Sequence, residues 1–404
     1  MTTTIDYNQL ALDLHSRCRG KIEITSKVPL ASRDDLSTAY TPGVAEPCRR
    51  IAGDPALVYD YTAKGNLVAV VSDGSAVLGL GNIGAQAALP VMEGKAILFK
   101  KFAGIDAFPI CLATQDDEEI IRTVRLLAPS FGGINLEDIA APRCFYIEQR
   151  LKEELDIPVF HDDQHGTAVC VLAALLNASR LTGKDLGRTK IVINGIGAAG
   201  VAIAKILLAR GIKNILLVDK QGILNIDQEE TMLNWMHRKM AKITNLAEEK
   251  GDLGVALQGA DIFIGVSAPA IVSPAMVAGM NDKAVVLALA NPLPEIFPAE
   301  ALAAGAMIVG TGRSDFPNQV NNVLAFPGIF RGAFDVRARE INEEMKLAAA
   351  VALADFIPPG QLNTENIIPS TLTSEVAEAV AQAVAQTALT SGTAQISSVR
   401  SYHL

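Results

Sequence analysis

From about residue 66 onward, apolar runs of strand length alternate with stretches of helical periodicity, and no other feature constrains the chain as strongly. This is the pattern of βαβ units and a largely parallel sheet. Leu67–Val71, Phe108–Leu112 and Ile157–Phe160 read as the clearest early strands. Between them, Asp116 and Asp117 open a helical stretch through Leu127, with acids in the first turn where the helix dipole favours them, and a second helix begins at Pro142 and runs to Leu155. The later part is more regular. Ile191–Asn194, Ile215–Asp219, Ile262–Val266, Val285–Ala290 and Met307–Gly310 read as five buried strands, the series of a doubly wound α/β domain. At 404 residues, two packed units are expected. The apolar helical segment Thr167–Arg180 joins them, so the boundary falls near residues 160–180 and is drawn as 1–165 and 166–404. From about 341 to 404 the chain is an Ala-rich tail of packing helices, Glu343–Phe356 and Thr373–Leu389, broken at Pro358, Pro359 and Gly360.

Composition narrows the function classes. The balance of 35 Lys+Arg against 44 Asp+Glu gives a net charge of −9, which disfavours nucleic acid and anionic membrane as partners. Every apolar stretch is broken by Gly, Pro or charge before the roughly 20 residues that a bilayer requires, so a soluble protein is expected. Met1–Asp6 lacks the basic region and apolar core of a secretory signal. Five cysteines, Cys18, Cys48, Cys111, Cys144 and Cys170, are scattered singly; without close pairs, and odd in number, they suggest a reducing cytoplasm.

Directly after Ile191–Asn194 comes Gly195-Ile196-Gly197-Ala198-Ala199-Gly200, a G-x-G-x-x-G sequence opening the helix Val201–Arg210. The glycines permit a tight turn, approach of backbone to a pyrophosphate and close helix packing, while the helix start offers free N–H groups. A structural glycine turn would look the same. Context favours a Rossmann-type NAD(P)-binding domain, because the next strand ends in Asp219, nineteen residues beyond Gly200. A carboxylate there accepts hydrogen bonds from the ribose hydroxyls of NAD and repels a 2′-phosphate, so NAD is favoured over NADP. Lys220 beside it weakens that preference, and a solvated turn carboxylate is the alternative.

Two acidic motifs, Gly133-Ile134-Asn135-Leu136-Glu137-Asp138 and Pro158-Val159-Phe160-His161-Asp162-Asp163, sit at the ends of expected strands. Ligands of open α/β sheets bind at carboxyl ends of strands, so both could enter one crevice. Oxygen ligands without a Cys or His pattern suit Mg²⁺ or Mn²⁺ better than zinc. Neighbouring strand residues point to opposite faces, so Glu137 and Asp138 share a metal only where the chain bends, which Pro142 and the preceding glycines allow. Spacing alone also fits surface carboxylates, and His161 and His165 fit structural hydrogen bonding.

Tyr40-Thr41-Pro42-Gly43-Val44-Ala45, Ser72-Asp73-Gly74 through Leu78-Gly79-Leu80-Gly81-Asn82-Ile83-Gly84, Glu93-Gly94-Lys95, Asn135–Asp138, His161-Asp162-Asp163-Gln164-His165-Gly166-Thr167, Asn291-Pro292 and Asn321-Asn322 through Phe326-Pro327-Gly328 together resemble the short bacterial malic enzymes, over about residues 10–390. The resemblance implies oxidative decarboxylation of malate to pyruvate with NAD or NADP and Mg²⁺ or Mn²⁺, by an N-terminal substrate and metal domain and an NAD(P)-binding domain, in a homodimer or larger homo-oligomer. It implies Glu137, Asp138 and Asp163 as metal ligands, Lys95 as general base, Tyr40 as general acid and Asp162 as the acid holding Lys95. The resemblance also implies that Asn291 and Asn321 lie near the nicotinamide end of the cofactor and that Lys95, Asn291 and Asn322 face the substrate, with Asn322 on its carboxylate. Two departures stand out: Ala76 where long eukaryotic-type members carry arginine, and Leu293 where threonine usually follows Asn-Pro. Bottom-up, Lys95 could instead pair with a surface acid, Tyr40 could pack on Pro42, and Lys100 and Lys101 are alternative bases. The competing functions are an oxaloacetate decarboxylase, a malate-to-lactate enzyme that retains its nicotinamide, and a nucleotide-sensing regulator without turnover.

Overall fold

The computed structural model describes residues 6–77, 79–228, 233–373 and 375–400. Leu78 of the glycine-rich run, Ser374 near the start of the last helix and the final four residues lie outside them. Two sheets carry the fold. The first has the order β2-β1-β3-β4, from β1 (Leu67–Ser72), β2 (Asp106–Cys111), β3 (Gly133–Leu136) and β4 (Val159–His161), all parallel. The second has the order β10-β9-β8-β5-β6-β7, from β5 (Ile191–Asn194), β6 (Ile215–Asp219), β7 (Gly222–Ile223), β8 (Ile262–Gly265), β9 (Val285–Ala288) and β10 (Ile308–Thr311). Only β7 runs antiparallel, against the end of β6. This is the expected doubly wound sheet, and β7 is a two-residue edge too short to announce itself by periodicity. Strand order reverses between β1 and β3 in one sheet and between β5 and β8 in the other. Those reversals open crevices at the carboxyl ends of the strands.

The strands of the second sheet are continuous apolar runs because both faces are covered. Ile191 and Ile193 enter a core shared with the first sheet, whereas Val192, Leu216, Phe263 and Val286 enter a separate core on the opposite face. Between the sheets runs the helix Asp162–Thr182, whose residues from Ala168 to Leu175 are all buried. It begins five residues before the expected Thr167, which moves Asp163 from a strand end into the first turn of a helix. The tail helices Glu343–Asp355 and Glu375–Thr390 pack on this helix and on Phe326–Asp335, respectively. Phe326–Asp335 in turn reaches the first sheet. Its Phe326 and Phe330 meet Phe99 edge-on at 4.7 and 5.2 Å, and Phe330 meets Phe160 of β4 at 5.7 Å. Aromatic edges packed this way fix the helix Ala85–Ala103 against the sheet.

Candidate active site

Register brings the acids together. Val71 of β1 lies beside Leu136 of β3, and Leu136 beside His161 of β4, so Glu137-Asp138 and Asp162-Asp163 leave the sheet side by side. The Glu137 N–H still donates to the Val71 carbonyl at 2.9 Å. The chain then turns at Asp138, which has a left-handed φ of 53°, a conformation Asp tolerates better than most residues. The bend that lets neighbouring acids share a site thus lies in Asp138 itself, not in Pro142 or the glycines. Its N–H donates to Asp163 Oδ2 at 2.9 Å, and Glu137, Asp138 and Asp163 offer oxygens within 4.8 Å of one another.

Lys95, from the middle of the helix Ala85–Ala103, is buried at the edge of this cluster. Its Nζ lies 2.5 Å from Asp162 Oδ2 and 2.9 Å from Glu137 Oε1, and 4.3 Å from the centre of the Phe326 ring. Burial pushes the ammonium pKa down, but the charges of Asp162, Glu137 and Asp163 push it up more strongly, and the balance lies above the ordinary lysine value. Desolvation raises Asp162 to about 6 against the opposing pull of Lys95. Asp162 reaches Lys95 because the helix has a glycine one turn later. A Cβ on Gly166 would stand 1.9 Å from Asp162 Oδ1 and 2.9 Å from Asn322 Cβ.

Several supporting residues had no role assigned from sequence. Asn135 Nδ2 donates to Glu137 Oε2 at 2.8 Å; the two are i and i+2 along one line, a spacing that could have found the contact. Asp73, fully enclosed after β1, accepts from Ser75 Oγ at 2.6 Å and pairs with Arg143 at 3.0 Å, and Arg143 also binds Asp117 at 2.6 Å. Ser75 Oγ accepts the Ala140 N–H at 2.9 Å, and the Ala76 N–H donates to the Asp138 carbonyl at 2.9 Å, so this turn holds the acidic loop in place. Arg143 and Asp73 are seventy positions apart, and nothing in the sequence signals their meeting. His165 donates through Nε2 to Glu148 at 2.8 Å, and Glu148 also accepts the His161 N–H at 3.2 Å.

The dinucleotide loop has the shape its glycines imply. Gly195 has φ 111°, and a Cβ there would lie 2.6 Å from the Val266 carbonyl; one on Gly200 would lie 1.8 Å from the Gly195 carbonyl. Gly197, between them, faces open space where a pyrophosphate could approach. Ile196, Ala198 and Ala199 complete the turn into the helix Ala198–Ala209. Asp219 ends β6 and accepts the Gln221 N–H at 2.8 Å through one oxygen. Asn322 abuts Gly166 of the acid-bearing helix; Asn321 accepts the Val323 N–H through its side chain at 3.0 Å. The Asn291 carbonyl would lie 3.2 Å from a Cβ on Gly79, which brings Asn291 to the glycine-rich run of the first unit. Tyr40 is not drawn in. It is 67% exposed, and among the described residues its ring and hydroxyl make no contact with Lys95 or the acids.

Two family models match successive parts of the chain. Residues 19–121 and 114–152 match the family model described as malic enzyme, N-terminal domain, and residues 164–389 match malic enzyme, NAD binding domain. The chain is 59% identical to the NAD-dependent malic enzyme of Geobacillus stearothermophilus, over 94% of this chain and 79% of that protein. It is 56% identical to the bifunctional malic/malolactic enzyme of Bacillus subtilis, over 96% and 94%. A crystal structure of malic enzyme from Pyrococcus horikoshii superposes with a TM-score of 0.92 at 50% identity, covering 97% of this chain and 93% of that one. Relatives named NADP-dependent malic enzyme occur too, at 53% identity in one from Rhizobium meliloti.

Proposed function

The chain belongs to the malic enzyme family, and on that footing we propose that Lys95, Asp162 and Tyr40 carry its acid–base chemistry beside a divalent cation held by Glu137, Asp138 and Asp163. The reaction is the oxidative decarboxylation of malate to pyruvate and CO₂ with reduction of a nicotinamide dinucleotide. The observation that carries the reading is the buried Lys95–Asp162 pair standing against three converging carboxylates.

Acids this close, two of them buried, repel one another, and an all-oxygen donor set is matched by Mg²⁺ or Mn²⁺. Such a cation, when bound, polarises the C2 oxygen of malate and offsets the acidic field that holds Lys95 protonated. A nicotinamide dinucleotide, its pyrophosphate held by the Gly195–Gly200 loop, would supply the hydride acceptor. Lys95 takes the proton of the C2 hydroxyl, and Asp162 holds its ammonium where that oxygen lies. Asn322 binds a substrate carboxylate, for which Ala76 offers no charge, while Asn291 and Asn321 orient the nicotinamide end. After CO₂ leaves, the enol of pyruvate needs a proton at C3, and Tyr40 is the donor. The same groups decarboxylate oxaloacetate.

Asp219 keeps one carboxylate oxygen for the ribose hydroxyls, so NAD is the preferred cofactor. The segment that bears Tyr40 is open: the helices Tyr7–Cys18, Arg33–Ala39 and Ala45–Gly53 bury no residue, while Leu12, Ile24 and Leu30 are 66%, 89% and 66% exposed. A second copy of the chain covers this face in a homo-oligomer. No described helix is long and apolar enough to cross a membrane, and the cytoplasm suits the net charge of −9 and the unpaired cysteines. Initial rates with malate and Mn²⁺, comparing NAD with NADP, test the whole reading. Stoichiometric NADH and pyruvate are expected; malate consumed without NADH release would make it a malolactic enzyme instead.

A further inference from the structure

Four helices each bring one lysine to a patch beside the start of the helix Asp162–Thr182: Lys152 from Arg143–Glu154, Lys205 from Ala198–Ala209, Lys239 from Trp235–Ala241 and Lys346 from Glu343–Asp355. Their partners do not balance them. Lys152 pairs with Glu148 at 2.8 Å, and Lys346, 4% exposed, pairs with Glu343 at 2.6 Å and donates to His165 Nδ1 at 3.2 Å. His165 gives its other nitrogen to Glu148 at 2.8 Å and brings no carboxylate of its own. Lys205 forms no ion pair among the described residues and feels Glu148 and Glu343 only at longer range; it lies over the ring of Phe145 at 5.4 Å. Lys239 forms no ion pair among the described residues. Four ammonium groups therefore face two carboxylates in a partly desolvated setting. Lys205 and Lys346 are both pushed below the ordinary lysine pKa, chiefly by burial, with Lys239 and Lys346 lowering Lys205 and Lys152 lowering Lys346.

Positive charge held partly out of water, as at Lys205 and Lys346, is costly unless an anion completes it. Lys205 lies five residues past Gly200, about 7.5 Å further along the helix axis, and binding measured with NAD already in place separates this patch from the pyrophosphate site. Ammonium groups arriving from four helices are point charges, which suit a tetrahedral anion; a flat carboxylate is better matched by the planar fork of arginine. We propose that Lys152, Lys205, Lys239 and Lys346 form a binding site for a phosphate group, as the free dianion or as a monoester. A phosphate there joins Arg143–Glu154, which follows β3 of the first sheet, to Ala198–Ala209 of the second. It also adjoins the Lys346–His165–Glu148 chain that ends on the His161 N–H, next to the acids of the catalytic cluster.

The chain carries its own reporter, since Trp235 is its single tryptophan and meets Phe145 edge-on at 6.2 Å. The test is a titration of metal-free protein with inorganic phosphate, glucose 6-phosphate and acetate at constant ionic strength, with and without saturating NAD, reading tryptophan emission and calorimetric stoichiometry. One saturable phosphate site per chain is expected, retained with NAD and not produced by acetate. Lys205→Gln and the exposed Lys239→Gln should each weaken it about tenfold or more, as for other lost hydrogen bonds to charged groups, while Lys213→Gln at the surface should not. Saturation by both phosphates supports the shared site, and saturation by glucose 6-phosphate alone assigns it to monoesters. A response equal to that of acetate, loss of the site on adding NAD, or unchanged affinity in both Lys205→Gln and Lys239→Gln would overturn the proposal.

Discussion

At the scale of single residues, the site depends on a missing methyl group. Gly166→Ala puts a better helix former into the helix, worth roughly 1 kcal/mol by propensity, yet its Cβ occupies the space of the Asp162 carboxylate. The expected outcome is a folded protein whose kcat falls about 100-fold, checked by thermal melting alongside steady-state rates. Lys95 and Tyr40 should separate when the half-reactions are measured individually. Lys95→Ala should depress malate oxidation and oxaloacetate reduction alike, by roughly 10²–10⁴, because both move a proton at the C2 oxygen. Tyr40→Phe should spare oxaloacetate reduction and slow ketonisation of enolpyruvate; equal losses in all three rates would remove it as the C3 donor. Asp163→Asn exchanges a charged hard ligand for a neutral one, and Mn²⁺ binding followed by electron paramagnetic resonance should weaken about tenfold or more. Legibility at this scale was uneven. Lys95, Asp162 and the three acids could be assembled only through family resemblance, because the contacts between β1, β3, β4 and the helix Ala85–Ala103 join residues far apart in sequence. The bend at Asp138 was invisible, since Asp carries no glycine-like marker of a positive φ.

Whole elements were easier to read where burial left one solution. β5 and β6 fall on their expected residues, because strands covered on both faces are unbroken apolar runs bounded by turns. β4 begins at Val159, not Ile157, after Pro158, which has no N–H to give the ladder. β3 was expected only as the strand that ends in the acidic motif, without bounds of its own, because it is four residues long and opens on a glycine. The helix Ala85–Ala103 also escaped notice, with Pro90 and Gly94 interrupting its pattern. The fingerprint loop yields a paired test. Gly200→Ala collides with the Gly195 carbonyl and should cost about 1–3 kcal/mol of stability, read by denaturant unfolding. Gly197→Ala meets nothing in the protein and should keep that stability while NAD binding, followed by nucleotide fluorescence, drops. Equal stability losses in both would mean that the middle glycine serves the fold and not the cofactor.

For the molecule as a whole, the open face from the helix Tyr7–Cys18 through Tyr40 predicts an assembly larger than one chain. Sedimentation at micromolar concentration should give a dimer or higher species, and a fully active monomer would contradict it. The helix Asp162–Thr182 sets a further limit, on motion. Its 21 residues make a rod about 31 Å long, so a tilt of roughly 5° about the far end would swing its start by about 2.7 Å. That sweep exceeds the 2.5 Å separating Asp162 from Lys95. The rod has an angular tolerance of a few degrees at most and belongs mechanically to the acids at its tip. The chain leaves the rod at Gly183, with a φ of 73°, and re-enters the same core at Ile191 and Ile193, so the nucleotide-binding sheet is braced against the acids through this one helix.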